Sequence, residues 1–125
     1  MAFFTAVSLI ISSVVATAAF KFEKGDNVCL IGNSLPDRFN HDGWFEAVLQ
    51  SELKGQEVIF RNLGFTGDTV KERPRNQGFP SPETYLKICE ADVIFVFFGY
   101  NESFKGENGL ESFMNDLSAM IDNYK

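Results

Sequence analysis

The sequence predicts an α/β protein built on a parallel sheet, with helices on both faces in three α/β/α layers. Three apolar runs carry this reading: Val28-Cys29-Leu30-Ile31, Val58-Ile59-Phe60 and Val93-Ile94-Phe95-Val96-Phe97-Phe98. Each is rich in β-branched or aromatic residues and is bounded by turn formers, the pattern of a buried strand. Segments compatible with helix lie between them, and strands that alternate with helices pair in parallel. Each run also ends in a glycine-and-polar cluster: Gly32-Asn33-Ser34, Asn62-Leu63-Gly64 and Gly99-Tyr100-Asn101-Glu102. In a parallel sheet all carboxyl ends face one edge, and ligands bind there. A hydroxyl, a glycine backbone and a carboxamide are therefore expected together at one edge, which is most of the equipment for acyl transfer.

The elements follow in order. Residues 1–20 carry no charged side chain and are apolar except for scattered Ser and Thr. The stretch closes on Ala16-Thr17-Ala18, the small-x-small pattern of a signal-peptidase site, although the usual Lys or Arg near the start is missing. It reads as a cleaved signal peptide or a retained membrane anchor. Its length is marginal for spanning a bilayer, which takes about 20 apolar residues. Either reading places residues 21–125, the body of the chain, outside the cytoplasm, in the periplasm or secreted. A Gly25-Asp26 turn leads into the first strand. Residues 36–42 read as a loop. Residues 43–53 carry Trp44, Phe45, Val48, Leu49 and Leu53 at helical spacing, and Gly55 is placed to end that helix. The second strand is expected from about residue 57 to 61. Residues 64–82 hold three glycines and three prolines, and a long irregular connection of this kind is often functional. Ser81 then caps a helix with Pro82 at its first position, running to about Cys89 or Glu90. The third strand follows, then a polar loop over residues 105–109. A last helix carries Leu110, Phe113, Met114, Leu117, Met120 and Ile121 at i, i+3, i+4 spacing. Three strands make a small sheet with uncovered outer edges. The chain reads as the front part of a longer domain, truncated after its third strand and of marginal stability by itself.

At 125 residues and 45% hydrophobic content, the chain is long enough for one domain with a real core. Its net charge of −6 and the lack of a basic stripe argue against nucleic acid or an anionic membrane surface as partner. A membrane is implied only if the N-terminal segment is retained. The two cysteines, Cys29 and Cys89, match no zinc, haem or redox spacing and read as small apolar thiols, although an exported protein could join them. Residues 64–68 lack the Gly-Lys-Ser/Thr ending of a phosphate loop, and Gly32-Asn33-Ser34 lacks the repeated glycines of a dinucleotide site. No His-Glu-x-x-His or similar cluster suggests zinc. No cofactor or metal is expected.

The second cluster continues as Asn62-Leu63-Gly64-Phe65-Thr66-Gly67-Asp68-Thr69, and the third as Gly99-Tyr100-Asn101-Glu102-Ser103. Together with Gly32-Asn33-Ser34 these resemble the first three blocks of the SGNH, or GDSL-type, hydrolases, in order and spacing, over roughly residue 24 to the end. The family's blocks read Gly-Asp-Ser, Asn-x-Gly-x-Ser-Gly-Asp-Thr and Gly-x-Asn-Asp. This chain departs at Asn33, Thr66 and Glu102. The closer wording, with Arg61-Asn62-Leu63-Gly64 and Asn101-Glu102-Ser103-Phe104, is similar to a secreted bacterial branch. The resemblance implies a flavodoxin-like sheet and a serine esterase working through an acyl-serine intermediate. Ser34 would be the nucleophile. The backbone N–H groups of Ser34 and Gly64 and the side-chain amide of Asn101 would form the oxyanion hole. The implied substrates are esters on carbohydrates or lipids, acetylated glycan first among them.

A serine nucleophile needs a general base. The family's late Asp-x-x-His block has no counterpart in these 125 residues, and the single histidine, His41, reads as a surface or helix-capping residue. No catalytic Asp or His is assigned. Arg38 and Glu102 could form an ion pair near the site. Asn33 in place of Asp and the missing base favour a second reading, a non-catalytic module that binds a glycan or an exported partner on the same fold. A flavodoxin-like domain is a third, weakened by the missing phosphate loop after the first strand.

Overall fold

The computed structural model describes residues 20–74 and 78–125. Apart from Phe20, the apolar leader lies outside the described residues. Among the described residues no helix is long and apolar enough to cross a membrane.

Three parallel strands form one sheet: β1 (Asn27–Gly32), β2 (Ile59–Asn62) and β3 (Val93–Phe97), in the order β2-β1-β3. The α/β class and the parallel sheet are as expected. β1 takes the centre because it can be buried on both faces, as a continuous apolar run in a parallel sheet should be. Cys29 and Ile31 point into one cluster with Val70, Leu86 and Met120. Val28 and Leu30 point into the other with Val58 and Phe60. The second strand starts two residues later than expected and the third ends one residue earlier. Glu57, with φ 55°, turns the chain just before β2. β3, the most apolar run, lies at the sheet's edge with Val96 41% exposed.

Residues 36–42 are not a loop. They belong to α1 (Ser34–Asp42), which runs straight from the end of β1. Pro36 falls in the first turn, where its missing N–H removes no intrahelical bond, and its side chain is buried. Gly43 (φ 66°) closes α1, its N–H donating to the Phe39 carbonyl at 2.9 Å, and opens α2 (Trp44–Glu52). The two helices cover one face of the sheet through aromatic packing. Phe39 and Phe45 stack at 4.5 Å, and each meets Phe97 edge-on, at 5.6 and 6.1 Å. Only part of the expected α2 stripe is used: Phe45, Leu49 and Leu53 pack on the sheet, while Trp44 and Val48 are exposed.

The opposite face carries α3 (Pro82–Ile88) and α5 (Leu110–Tyr124). Ser81 caps α3 as expected, accepting from the Thr84 N–H at 3.3 Å. On α5 the face turned to the core is Phe113, Leu117, Met120 and Tyr124, whereas Leu110, Met114 and Ile121 from the expected stripe are exposed. Between β3 and α5 the chain makes a one-turn helix, α4 (Tyr100–Ser103), and a 3-10 turn over Glu107–Gly109.

Both cysteines are free, Cys29 buried and Cys89 half-buried. Burial, reinforced by the Cys89 thiol beside it, pushes the Cys29 thiol from 9.0 up to about 12. Three units of pKa mean about a thousandfold fewer thiolates near pH 8, so Cys29 should resist iodoacetamide in the folded protein and react once unfolded. Alkylation followed by peptide mass spectrometry, with and without urea, checks this. The sign for stability follows from proton counting. Above pH 9 the unfolded chain releases a proton that the folded chain keeps until about pH 12, so this thiol lowers stability progressively across that window.

Candidate active site

The three clusters sit at the carboxyl edge of the sheet because backbone hydrogen bonds carry the strand pairing beyond the strands. The N–H groups of Leu63 and Phe65 donate to the carbonyls of Leu30 and Gly32, at 2.8 and 3.0 Å. On the other side the Asn33 N–H donates to the Phe97 carbonyl at 3.3 Å. The segment holding Gly64 is thus stitched to Leu30 and Gly32, and the segment leading to Gly99 to the next residue, Asn33. Gly32 needs to be glycine twice over. Its φ is 148°, and a Cβ there would lie 2.5 Å from the Phe97 carbonyl oxygen.

Ser34 is the first residue of α1, half-buried, directly after the central strand. Among the described residues its hydroxyl has no hydrogen-bond partner. Its backbone N–H is one of the first-turn groups that no carbonyl of the same helix can reach. A helix N-terminus also favours developing negative charge.

Gly64 lies against α1, and a Cβ there would overlap the Pro36 ring. Close helix packing therefore accounts for this glycine without reference to a ligand. Its N–H donates to Asn62 Oδ1 at 3.0 Å, and Asn62 Nδ2 donates to the Pro36 carbonyl at 2.6 Å. Asn62 thus clamps the end of β2 to α1. Of the three donors expected from the sequence, the Gly64 N–H is already engaged. Asn101, in α4, donates from Nδ2 to the Asp68 carbonyl at 2.9 Å. An amide nitrogen has two hydrogens, so one bond fixes the group while the second hydrogen is left to donate.

Glu102 does not pair with Arg38. Its Oε1 accepts from the Val70 N–H at 2.8 Å and its Oε2 from the Gly99 N–H at 2.9 Å. The carboxylate ties residues 68–70 of the long connection to the end of β3. Thr66, which stands where the family pattern has Ser, donates to Asp37 Oδ2 at 2.5 Å, fixing the same connection to α1. Farther along, Arg73 donates to the Tyr124 hydroxyl at 3.2 Å and lies 5.0 Å over the Phe98 ring.

His41 is exposed in the last turn of α1. Seven residues at 1.5 Å rise put it about 10 Å along the helix from Ser34, beyond hydrogen-bond reach. Among the described residues no cluster of His, Cys, Asp or Glu could hold a metal ion. Sequence reasoning missed the anchoring roles of Asn62 and Glu102. For Glu102 the only available signal was a carboxylate three residues after a glycine at a short helix start, a capping-box pattern.

No protein-family model and no curated protein matches this chain.

Proposed function

We propose that this chain carries the nucleophile and oxyanion-hole part of a serine ester hydrolase of the SGNH, or GDSL, type. The observation that carries the reading is the strand order β2-β1-β3. It puts Ser34 after the central strand, with Gly64 and Asn101 arriving from the strands on either side. Three sequence blocks, weak one by one, thereby become one edge of one sheet.

In this reading Ser34 attacks an ester carbonyl. The new C–O bond forms as the carbonyl π pair moves to oxygen, and the hydroxyl proton passes to a base. The alkoxide leaves with a proton, and water then releases the acid from the acyl-serine. The Ser34 N–H and the second hydrogen of Asn101 Nδ2 face the oxyanion. The Gly64 N–H joins them by sharing its bond to Asn62. His41 is not placed to be the base, and no described residue is assigned that role. An acylated glycan met outside the cytoplasm fits the apolar leader and the acidic body. The reading calls for no cofactor and no nucleic-acid partner.

A fluorophosphonate probe tests it. The expected result is an adduct mapped to Ser34 by mass spectrometry, absent from Ser34→Ala, with turnover of p-nitrophenyl acetate lost in parallel. An adduct at another residue, or unchanged turnover in Ser34→Ala, removes Ser34 from the mechanism. Asn101→Ala should lower kcat by about a hundredfold or more at little change in KM, the effect of losing one aligned oxyanion donor.

The position of His41 favours a second reading, a module that binds a glycan through the same edge without hydrolysing it. Saturable glycan binding with no acid released and no probe adduct would support it.

A further inference from the structure

α3 seats Leu86 in the core, but one residue earlier its Tyr85 lines open space. A partly enclosed cavity of about 320 Å³ lies there, walled by Ile31, Gly32, Leu63, Tyr85 and Phe98, with the exposed Phe79 also on its lining. Protein interiors leave few voids larger than a water molecule, so a recess of this size is no remnant of packing. Its volume falls at the lower end of the range for small-molecule sites. Its position is also the one where open α/β sheets bind ligands. With the order β2-β1-β3 the chain leaves β1 to one side and returns on the other, and a crevice opens between the carboxyl ends of β1 and β3. Ile31 and Gly32 end β1, and Phe98 directly follows β3.

Two charged residues, Asp68 and Arg73, complete the lining. Asp68 is only 2% exposed. Arg73 donates to the Tyr124 hydroxyl and covers the Phe98 ring. An anion in the cavity would meet Asp68 and a cation Arg73, and either would give up its water among apolar walls. The cavity therefore selects an uncharged group. It also adjoins the candidate active site. Phe98 lines both the cavity and the groove that holds Ser34. Gly32 stands two residues before Ser34, and Leu63 one residue before Gly64.

We propose that this cavity binds the acyl group of the ester substrate, an uncharged aliphatic or aromatic acyl longer than acetyl. The assignment to an acyl group rests on the hydrolase reading, but the affinity for a compact apolar group stands by itself. A water molecule takes roughly 30 Å³, so an acetyl group would leave most of the cavity empty. Each further methylene buried against Ile31, Leu63, Tyr85 and Phe98 strengthens binding about fourfold. The backbone segments that hold Ser34 and Gly64 border the cavity, so a carbonyl placed between them has its acyl chain beside the opening.

The test is an NMR titration of the full chain, read at the backbone amides, with hexanamide, butanamide, acetamide and hexanoate. Hexanamide should saturate and shift Gly32, Leu63, Tyr85 and Phe98, and binding should weaken about fourfold for each methylene removed. Hexanoate should bind at least about tenfold more weakly than hexanamide. Leu63→Trp and Tyr85→Trp, which fill the space from two sides, should each weaken hexanamide about tenfold. Tyr85 is half-buried, so Tyr85→Trp is the variant expected to keep the parent's melting temperature. Trp44→Ala, on the other face of the sheet, should leave binding unchanged. Shifts gathered around Trp44 instead, acetamide binding as tightly as hexanamide, hexanoate binding as tightly, or unchanged affinity in a folded filling variant would each overturn the proposal. Ser34→Ala should still bind hexanamide. In turnover, kcat/KM for p-nitrophenyl hexanoate should exceed that for the acetate, and Tyr85→Trp should reverse the order. A parent that prefers the acetate would overturn the acyl assignment. Hexanamide binding with no probe adduct on Ser34 would sink that assignment together with the hydrolase reading and leave the apolar site. An adduct on Ser34 without hexanamide binding would sink only this proposal.

Discussion

Gly32→Ala should unfold the protein or lower its melting temperature by more than about 10 °C, the largest effect expected of any single methyl group here. Two costs add. A non-glycine residue held at φ 148° carries roughly 1–3 kcal/mol of backbone strain. The added Cβ would also meet the Phe97 carbonyl and Cβ at 2.5 and 2.7 Å, and neither can swing away, because Phe97 is a strand residue pinned between Phe39 and Phe45. Relief would require β1 and β3 to separate, and β1 is the central strand. At roughly 4–8 °C per kcal/mol for a domain of this size, the sum exceeds 10 °C. A thermal melt by circular dichroism checks it, and a shift under 3 °C would mean that the Gly32 backbone is not held as described. Gly67→Ala is the matching control. Gly67 also has positive φ, at 94°, but nothing lies within 4 Å of a Cβ there, so only the strain should be felt.

Glu102→Ala should cost about 3–5 kcal/mol and loosen the site before it unfolds the sheet. Two charge-assisted hydrogen bonds are lost, each worth roughly 1.5–3 kcal/mol, and the N–H groups of Val70 and Gly99 are left without their acceptor. Val70 is part of the core cluster, so its segment should lose packing too. Glu102→Asp is the sharper variant. It keeps the charge and matches the family pattern, but it is one methylene short, so it should hold one of the two N–H groups and lie between wild type and Glu102→Ala. Denaturant melts of the three proteins measure the order. Equal stability of Glu102→Asp and wild type would show that the span across both N–H groups does not need the longer side chain.

Three strands, the capped α3 and the common edge of the clusters were legible in the sequence because each is written in adjacent residues. α1 was not. Pro36 and the polar stretch Asn40-His41-Asp42 resemble a loop, and only the packing of Pro36 and Phe39 shows that a helix was needed. The expected stripes on α2 and α5 were too wide. A three-strand sheet has room for Phe45 and Leu49 but not for Trp44, and for Met120 but not for Met114. The candidate site residues could be named from the sequence as residue types at the strand ends, but their hydrogen-bond partners depend on topology. Glu102 reaches Val70 across 32 positions and Asn101 reaches Asp68 across 33, and no local spacing encodes such pairs. The unbonded amide of Asn33 was equally hidden, since asparagine before a helix ordinarily signals a cap.

The stitching of Phe65 to Gly32 and of Asn33 to Phe97 has a dynamic consequence. A loop built on a sheet usually exchanges its amide hydrogens far faster than the strands beneath it. Here the Phe65 and Asn33 amides are rungs of the sheet, so they should exchange with deuterium as slowly as those of β1 and in step with them. The edge that carries Ser34 would then have no private opening motion. Whatever mobility a ligand needs on entry would then come from side chains and not from the backbone that carries Ser34.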